Sequence, residues 1–452
     1  SANFIWTVTD QQALVLNPMP SQAPRVTNSA VTYTASTQNA ISPQYKWFFD
    51  DGTPETAYSG SATITHAFAI PGVHYVTVTA TDGRNIAQVQ TFAQTVYLPL
   101  TANRAVASGN IAYEARSGSN SRVWVVNQDN DSVSAFDAVT NARLAEIAVG
   151  TAPRTLAVSP AGEIWVTDKQ SATISVINAS TLALSRTITL PFASQPFGIA
   201  FAPTGGYAYV VLEASGRLLK LDATSGAQVG SLDVGANPRH LSVSGDGASV
   251  YVSRFVTPRL PGEDTLAVQS QVGGVNVGGE VLVVNAGAMT VLSTIELQAS
   301  SKPDFDNQGS GFPNYLGAAV VSPDGSAAWV PSKQDNIGRG AARNGLGLNF
   351  QNTVRAISSR INLATGTEDY PARIDHDNSS VGSAATFDRY GVYLFVALET
   401  SREVAVVDAH GKFELFRIDA GRAPQGVVVS ADGLKLYVSN FMDRSVSVFD
   451  LT

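Results

Sequence analysis

Apolar and polar positions alternate with period two along much of the chain, and the stretch from Pro153 to Pro203 packages that alternation into a unit repeated later. A strand-like run ends at Ser159-Pro160. A second runs from Glu163 to Thr167, a third from Thr173 to Asn178 and a fourth from Ser185 to Leu190, before Pro196 restarts the pattern. Four short half-buried strands with a fresh start every 40-odd residues predict one blade of a β-propeller.

Aligned on the residue after each first strand, the repeats start at Ala115, Pro160, Pro203, Gly245, Pro323, Asp388 and Ala431, with spacings of 45, 43, 42, 78, 65 and 43. Seven blades are therefore expected over 104–452, with insertions at about 254–279 and 333–351. The second strands echo one another as RVWVVN, EIWVTD, YAYVVLE, SVYVSR, AAWVPS, YLFVALE and KLYVSN, and the third as SVSAFD, TISVIN, LLKLD, VLVVN, AISSRIN, EVAVVD and SVSVFD. These strings resemble the YVTN-type repeat of bacterial seven-bladed propellers, with Tyr437-Val438-Ser439-Asn440 nearest the name-giving motif. The last repeat has only three strands, and the segment near Thr95–Ala107 is expected to supply the missing outer one.

The N-terminal part follows a different rhythm. After an arm at 1–12, period-2 runs such as AVTYTAS, QYKWFFDDG and VHYVTVTATDG alternate with Gly, Pro and Asp turns over 13–97. That pattern predicts a small sandwich, with Trp47 and Phe49 pointing inward. Pro99 blocks strand continuation, so 98–103 reads as a linker and closing segment. The strings YKWFFDDG and HAFAIPGVHYVTVTATD resemble the polycystic kidney disease (PKD) domain, with Phe48 and Asp50 departing from its W-D-F-G-D-G run. That resemblance implies an immunoglobulin-like β-sandwich serving as spacer or adhesive module, in which His66 is a framework residue. The fold class expected is all-β: a PKD-like sandwich plus a seven-bladed propeller.

Composition narrows the function. The chain of 452 residues carries a formal net charge of −8, against the basic footprint of a nucleic-acid binder. No apolar run of membrane-spanning length occurs. With 0 Cys, disulfides, thiolate metal sites and a Cys nucleophile are excluded. No G-x-S-x-G elbow is present, and GGVNVGG (273–279) lacks the strand–turn–helix context of a nucleotide site. Of the 29 basic residues most are Arg, whose planar fork suits carboxylates.

If a blade's strands run from inside to outside, the loop entering strand one and the loop joining strands two and three share a face. Both insertions and the long connection Gln298–Asn314 fall on that face, where loops on a rigid scaffold carry function. The candidate ligand-binding residues there are Arg154, Asp168, Arg239, His240, Arg254, Lys333, Asp335, Arg339, Arg343 and Glu399. Asp304 and Asp306, and Asp375 and Asp377, offer oxygen ligands suited to Ca²⁺ without a complete loop motif, and no other cofactor is indicated.

The reading is a non-catalytic binding or scaffold protein, secreted, at the cell surface or in the periplasm, whose propeller recognises a protein or polysaccharide ligand. Resemblance supplies two alternatives. One is a propeller lactonase or polysaccharide lyase, with His240 as base, Arg239 as neutraliser and Glu213 beside them. The other is the non-haem part of a di-haem cytochrome peroxidase-like protein, to which the run Lys333–Gly340 is similar.

Overall fold

The computed structural model describes residues 12–451 apart from 21, 85, 263–268, 270 and 337–352. The chain divides into two compact units, Ser1–Pro99 and Leu100–Thr452.

The first unit is a β-sandwich. One sheet holds Arg25–Val26, Ala87–Tyr97, Gly72–Thr81 and Gln44–Phe48, and Ala30–Thr34 pairs with Thr63–Ala67. Alternation drives the packing: Tyr45, Trp47 and Phe49 bury one face of their strand against Tyr33, Phe68, Val76 and Val78. His66 is tied to Asp51 at 2.7 Å and stacks on Phe49 with centroids 3.8 Å apart, which makes it part of the framework.

The second unit is a seven-bladed propeller. Blades one, two, three and six are four-stranded antiparallel sheets whose first strands are Ile111–Glu114, Pro153–Val158, Pro196–Phe201 and Gly382–Phe387. Blade four begins at Pro238–Val243, blade five at Val320–Val321 and blade seven at Pro424–Val429. Val, Ile and Leu from facing sheets fill the seams between blades, as where Trp165, Ile174 and Val176 meet Ile199, Val210 and Leu219. The ring closes through Tyr437 of blade seven, packed on Ile111 and Val123 of blade one with its hydroxyl donating to the Ala138 carbonyl at 3.0 Å.

Closure does not use the outer strand expected from Thr95–Ala107. Among the described residues blade seven has three strands. Val106–Ala107 instead pairs antiparallel with the innermost strand of blade four, Ala107 opposite Ser242 and Val106 opposite Val243. The chain enters across the loops on the face opposite the insertions. There the Thr101 amide donates to the Pro323 carbonyl, and Arg104 reaches the Arg389 carbonyl. It then climbs the channel to Gly109, whose carbonyl accepts from the Leu156 amide of blade two at 2.9 Å. A strand with one apolar neighbour and backbone groups to satisfy finds both inside the ring, where the first strands expose an unpaired edge.

The long connection into blade five is itself a hairpin, Ser300–Phe305 with Gln308–Asn314, which extends the sheet by placing Asn314 opposite Lys333 and Phe312 opposite Asp335. The insertion of blade four carries a small hairpin, Gln271–Val272 with Val275–Asn276. Ile374–His376 returns to pair with the third strand of blade five.

Candidate binding site at the propeller mouth

Local chain geometry builds the same two positions in blade after blade. Pro153, Pro196, Pro238 and Pro424 each open a first strand, and the residue before each has positive φ: Ala152, Gln195, Asn237 and Ala423. The carbonyl of that preceding residue accepts from the amide just past the second strand, in Ala152–Lys169, Gln195–Glu213, Asn237–Phe255 and Ala423–Phe441. The register slips directly after each of these prolines, and such a bulge re-aims a side chain. Arg154, Phe197, Arg239 and Gln425 are thereby turned toward the channel, with Lys169 and Phe255 beside them.

The channel holds a cavity of about 810 Å³. Among the described residues Arg154, Lys169 and Arg239 line it against Glu399, with Glu213 held behind Lys169 and Arg239, so its wall keeps a cationic excess in a chain that is acidic as a whole. One side of it is the channel-threading segment from Ala105 to Asn110, continued by Ile111 to Tyr113 of blade one.

Two side-chain belts ring the mouth. In one, Lys169 and Arg239 grip opposite oxygens of Glu213 at 2.7 and 2.5 Å. Burial opposes the charge of Glu213, but the hydrogen bonds from Arg239 and Lys169 hold its carboxyl below the usual range. Arg239 also lies over the Phe255 ring at 3.2 Å, Phe255 stacks on Tyr315 at 4.3 Å, and Lys333 sits over Tyr315 at 3.7 Å. In the other belt Arg154 donates to the Gln128 amide oxygen, Gln128 donates to Gln425 at 3.2 Å, and Gln425 donates to Glu399 at 3.0 Å.

Several sequence candidates take other places. Asp168 is fully buried and does not face the mouth; it accepts from Ser175 at 2.8 Å and Thr173 at 2.9 Å, and burial pushes its carboxyl up to about 6. Asn127 and Asn440 hold the same position in blades one and seven, donating to Ser134 and Ser447. A Cβ on Gly150 would come within 2.6 Å of Asp168, which accounts for glycine there. Arg254 pairs with Glu280 at 2.9 Å on the next strand outward, and Lys333 pairs with Asp335 at 3.1 Å. Arg339 and Arg343 lie outside the described residues.

The oxygen-rich stretches meet a cation of the protein's own. Arg355 donates to Asp375 at 3.1 Å and to the Phe305 carbonyl at 2.7 Å. Asp375 is thus a buried ion-pair partner rather than a free ligand. Asp306 sits in the turn of the blade-five hairpin and Asp377 accepts from Asn378, while the Asp304 side chain is not among those described.

His240 lines the cavity with its ring edge-on to Phe197 at 5.2 Å and its Nδ1 3.4 Å from the Ser108 hydroxyl. Burial, then Arg239, pull its imidazole down to about 3, so it is neutral at pH 7 and a weak base. A nearer likeness to a catalytic triad is Ser358–His376–Glu414, at 2.8 and 2.7 Å. Ser358 and His376 have no exposed surface, so no substrate reaches them, and the trio ties blade five to blade six.

Comparison with known proteins fits this architecture. Residues 15–95 match the family model described as PKD domain. The sandwich is similar to the PKD domain. Among solved structures, the Kuenenia stuttgartiensis hydrazine synthase is similar with a TM-score of 0.57 over 73% of this chain and 92% of that one, at 18% identity. At that identity the likeness is one of fold. No curated protein matches the chain. Among the described residues no helix is long and apolar enough to cross a membrane.

Proposed function

We propose that this is an extracellular binding protein of the YVTN-propeller type, in which the insertion-bearing mouth recognises a protein or polysaccharide ligand and the PKD domain acts as spacer. One observation carries the reading: a cation-walled cavity of about 810 Å³ lies at the face that also bears the insertions. Its size is that of ordinary ligand sites, roughly 300–1,000 Å³. Its polar groups converge from many blades, as a recognition surface requires. Extracellular placement is supported by the PKD match, because that domain is typical of extracellular proteins.

The enzyme alternative has less behind it, since general-base chemistry needs a pKa near the working pH and His240 is held at about 3. The test is a glycan and protein-partner screen on the full chain, followed by hydrogen exchange of the bound and free protein. Protection concentrated at the amides of Lys169, Phe255 and Glu399 supports the reading; protection confined to the opposite face or to the PKD domain overturns it.

A further inference from the structure

The mouth has rings and cations in abundance, yet their arrangement favours one chemistry. A neutral sugar is usually held by an aromatic face left open for stacking. Here the Phe255 faces are taken by Arg239 and Tyr315, and Lys333 covers Tyr315. Phe197 is approached by Arg239 at 4.9 Å and by Lys169 at 5.5 Å. Charge, rather than stacking, is what these groups have left to offer.

Among the mouth cations, Arg154 differs from its neighbours. Lys169 and Arg239 share the carboxylate of Glu213, and Lys333 pairs with Asp335. Arg154 has as its hydrogen-bond partner a neutral amide oxygen, that of Gln128, and its Nε is buried with no partner among the described residues. Burial, and then the repulsion of Arg239, lower its pKa from the usual guanidinium range, against the weaker attraction of Glu213 and Asp129. The carboxylate at the far end of its belt, Glu399, is separated from it by two amides. A guanidinium held this way, on the wall of a cavity, retains donors and a charge that a bidentate anion satisfies.

Resting on the reading of the mouth as a recognition site, we infer that its ligand carries a carboxylate that docks on Arg154. The geometry suits a free organic acid and the terminal uronate of an acidic polysaccharide alike, since both present the same planar group to the cavity. The anion would also lie near Lys169 and Arg239, whose charges exceed the single carboxylate they share.

Calorimetric titration of the full chain with succinate, with trigalacturonate and with neutral maltotriose tests this. Saturable binding of either acid is expected, weakened about tenfold or more in Arg154→Gln. Gln128→Glu is the second variant: it gives Arg154 an internal carboxylate and should abolish acid binding while the melting temperature holds or rises. Lys435→Gln, at the start of the second strand of blade seven on the opposite face, should bind as the wild type does. Succinate binding as tightly as trigalacturonate points to a free acid; trigalacturonate alone points to a uronate end. Failure of both acids to bind at millimolar concentration overturns the inference, as does wild-type affinity in a folded Arg154→Gln. Maltotriose binding that Arg154→Gln leaves unchanged, with no acid bound, removes the carboxylate and keeps the recognition mouth.

Discussion

Replacing Asp168 with Asn isolates one buried charge whose cost can be worked out. Asp168 has no exposed surface, and its carboxyl is raised from 3.8 to about 6, by burial above all, against which the bonds from Ser175 and Thr173 act. A folded-state pKa above the unfolded one means that the folded protein holds this proton more tightly. The associated stability is fully present below about pH 4, falls as pH rises through about 6, and levels off above that. Two units at 1.36 kcal/mol each set the loss at about 3 kcal/mol. Asn has the same shape, does not ionise, and already occupies this position as Asn127 and Asn440, where the amide donates to the same pair of third-strand hydroxyls. Urea unfolding near pH 4.5 and near pH 8 is the assay. Asp168→Asn should be close to wild type at the lower pH and more stable by up to about 3 kcal/mol at the higher one. Equal pH dependence in the two proteins, or a less stable variant near pH 8, would refute the assignment of a buried, reluctantly ionised carboxylate.

Glu296, raised to about 7 by burial and by Glu280 opposite it, loses stability in the same direction between about pH 4.5 and 7; Glu296→Gln should melt higher than wild type near pH 8 and lose that advantage near pH 4.5. Arg417 bonds Glu414 at 2.6 Å and Glu403 at 3.0 Å, and Glu414 holds His376. Arg417→Ala should therefore lower the melting temperature of the propeller, while Arg143→Ala, at an exposed pair with Glu146, should change stability by no more than about 0.5 kcal/mol. A Cβ at Gly198 would lie 2.8 Å from the Arg239 carbonyl and 3.0 Å from the Ser108 hydroxyl, so Gly198→Ala should loosen the channel-threading segment and speed amide exchange at Ser108 and Leu156.

The blades were legible because each strand repeats an apolar rhythm that local chemistry enforces. RVWVVN, EIWVTD and KLYVSN are second strands with the bounds the pattern implied, Arg122–Asn127, Glu163–Asp168 and Lys435–Asn440. The path of Val106–Ala107 was not, because a two-residue strand has no periodicity of its own and its partner lies more than a hundred residues away. Arg154, Arg239, His240 and Glu399 were expected on one face from which loops share it, and all four line the cavity. Gln128, Phe197, Phe255, Tyr315 and Gln425 were missed. A readable signal existed for some of them: the residue after each strand-opening proline points inward, as does the residue after the second strand in blades one, two, four and six. Asp168 was misplaced by one position, since the strand's last residue turns into the sheet and its neighbour Lys169 reaches the mouth.

The chain has 0 Cys, so a single introduced thiol reports without interference. Ser383 is half-buried on the wall of the cavity, and Ser383→Cys places a thiol there with little change in volume. Its labelling rate with a negatively charged methanethiosulfonate against a positively charged one tests directly whether the cavity is open at the mouth and cationic. Labelling is expected in the folded protein, faster with the anionic reagent, with a preference that Arg154→Gln reduces. A thiol that neither reagent reaches, or that the cationic reagent modifies faster, would contradict it.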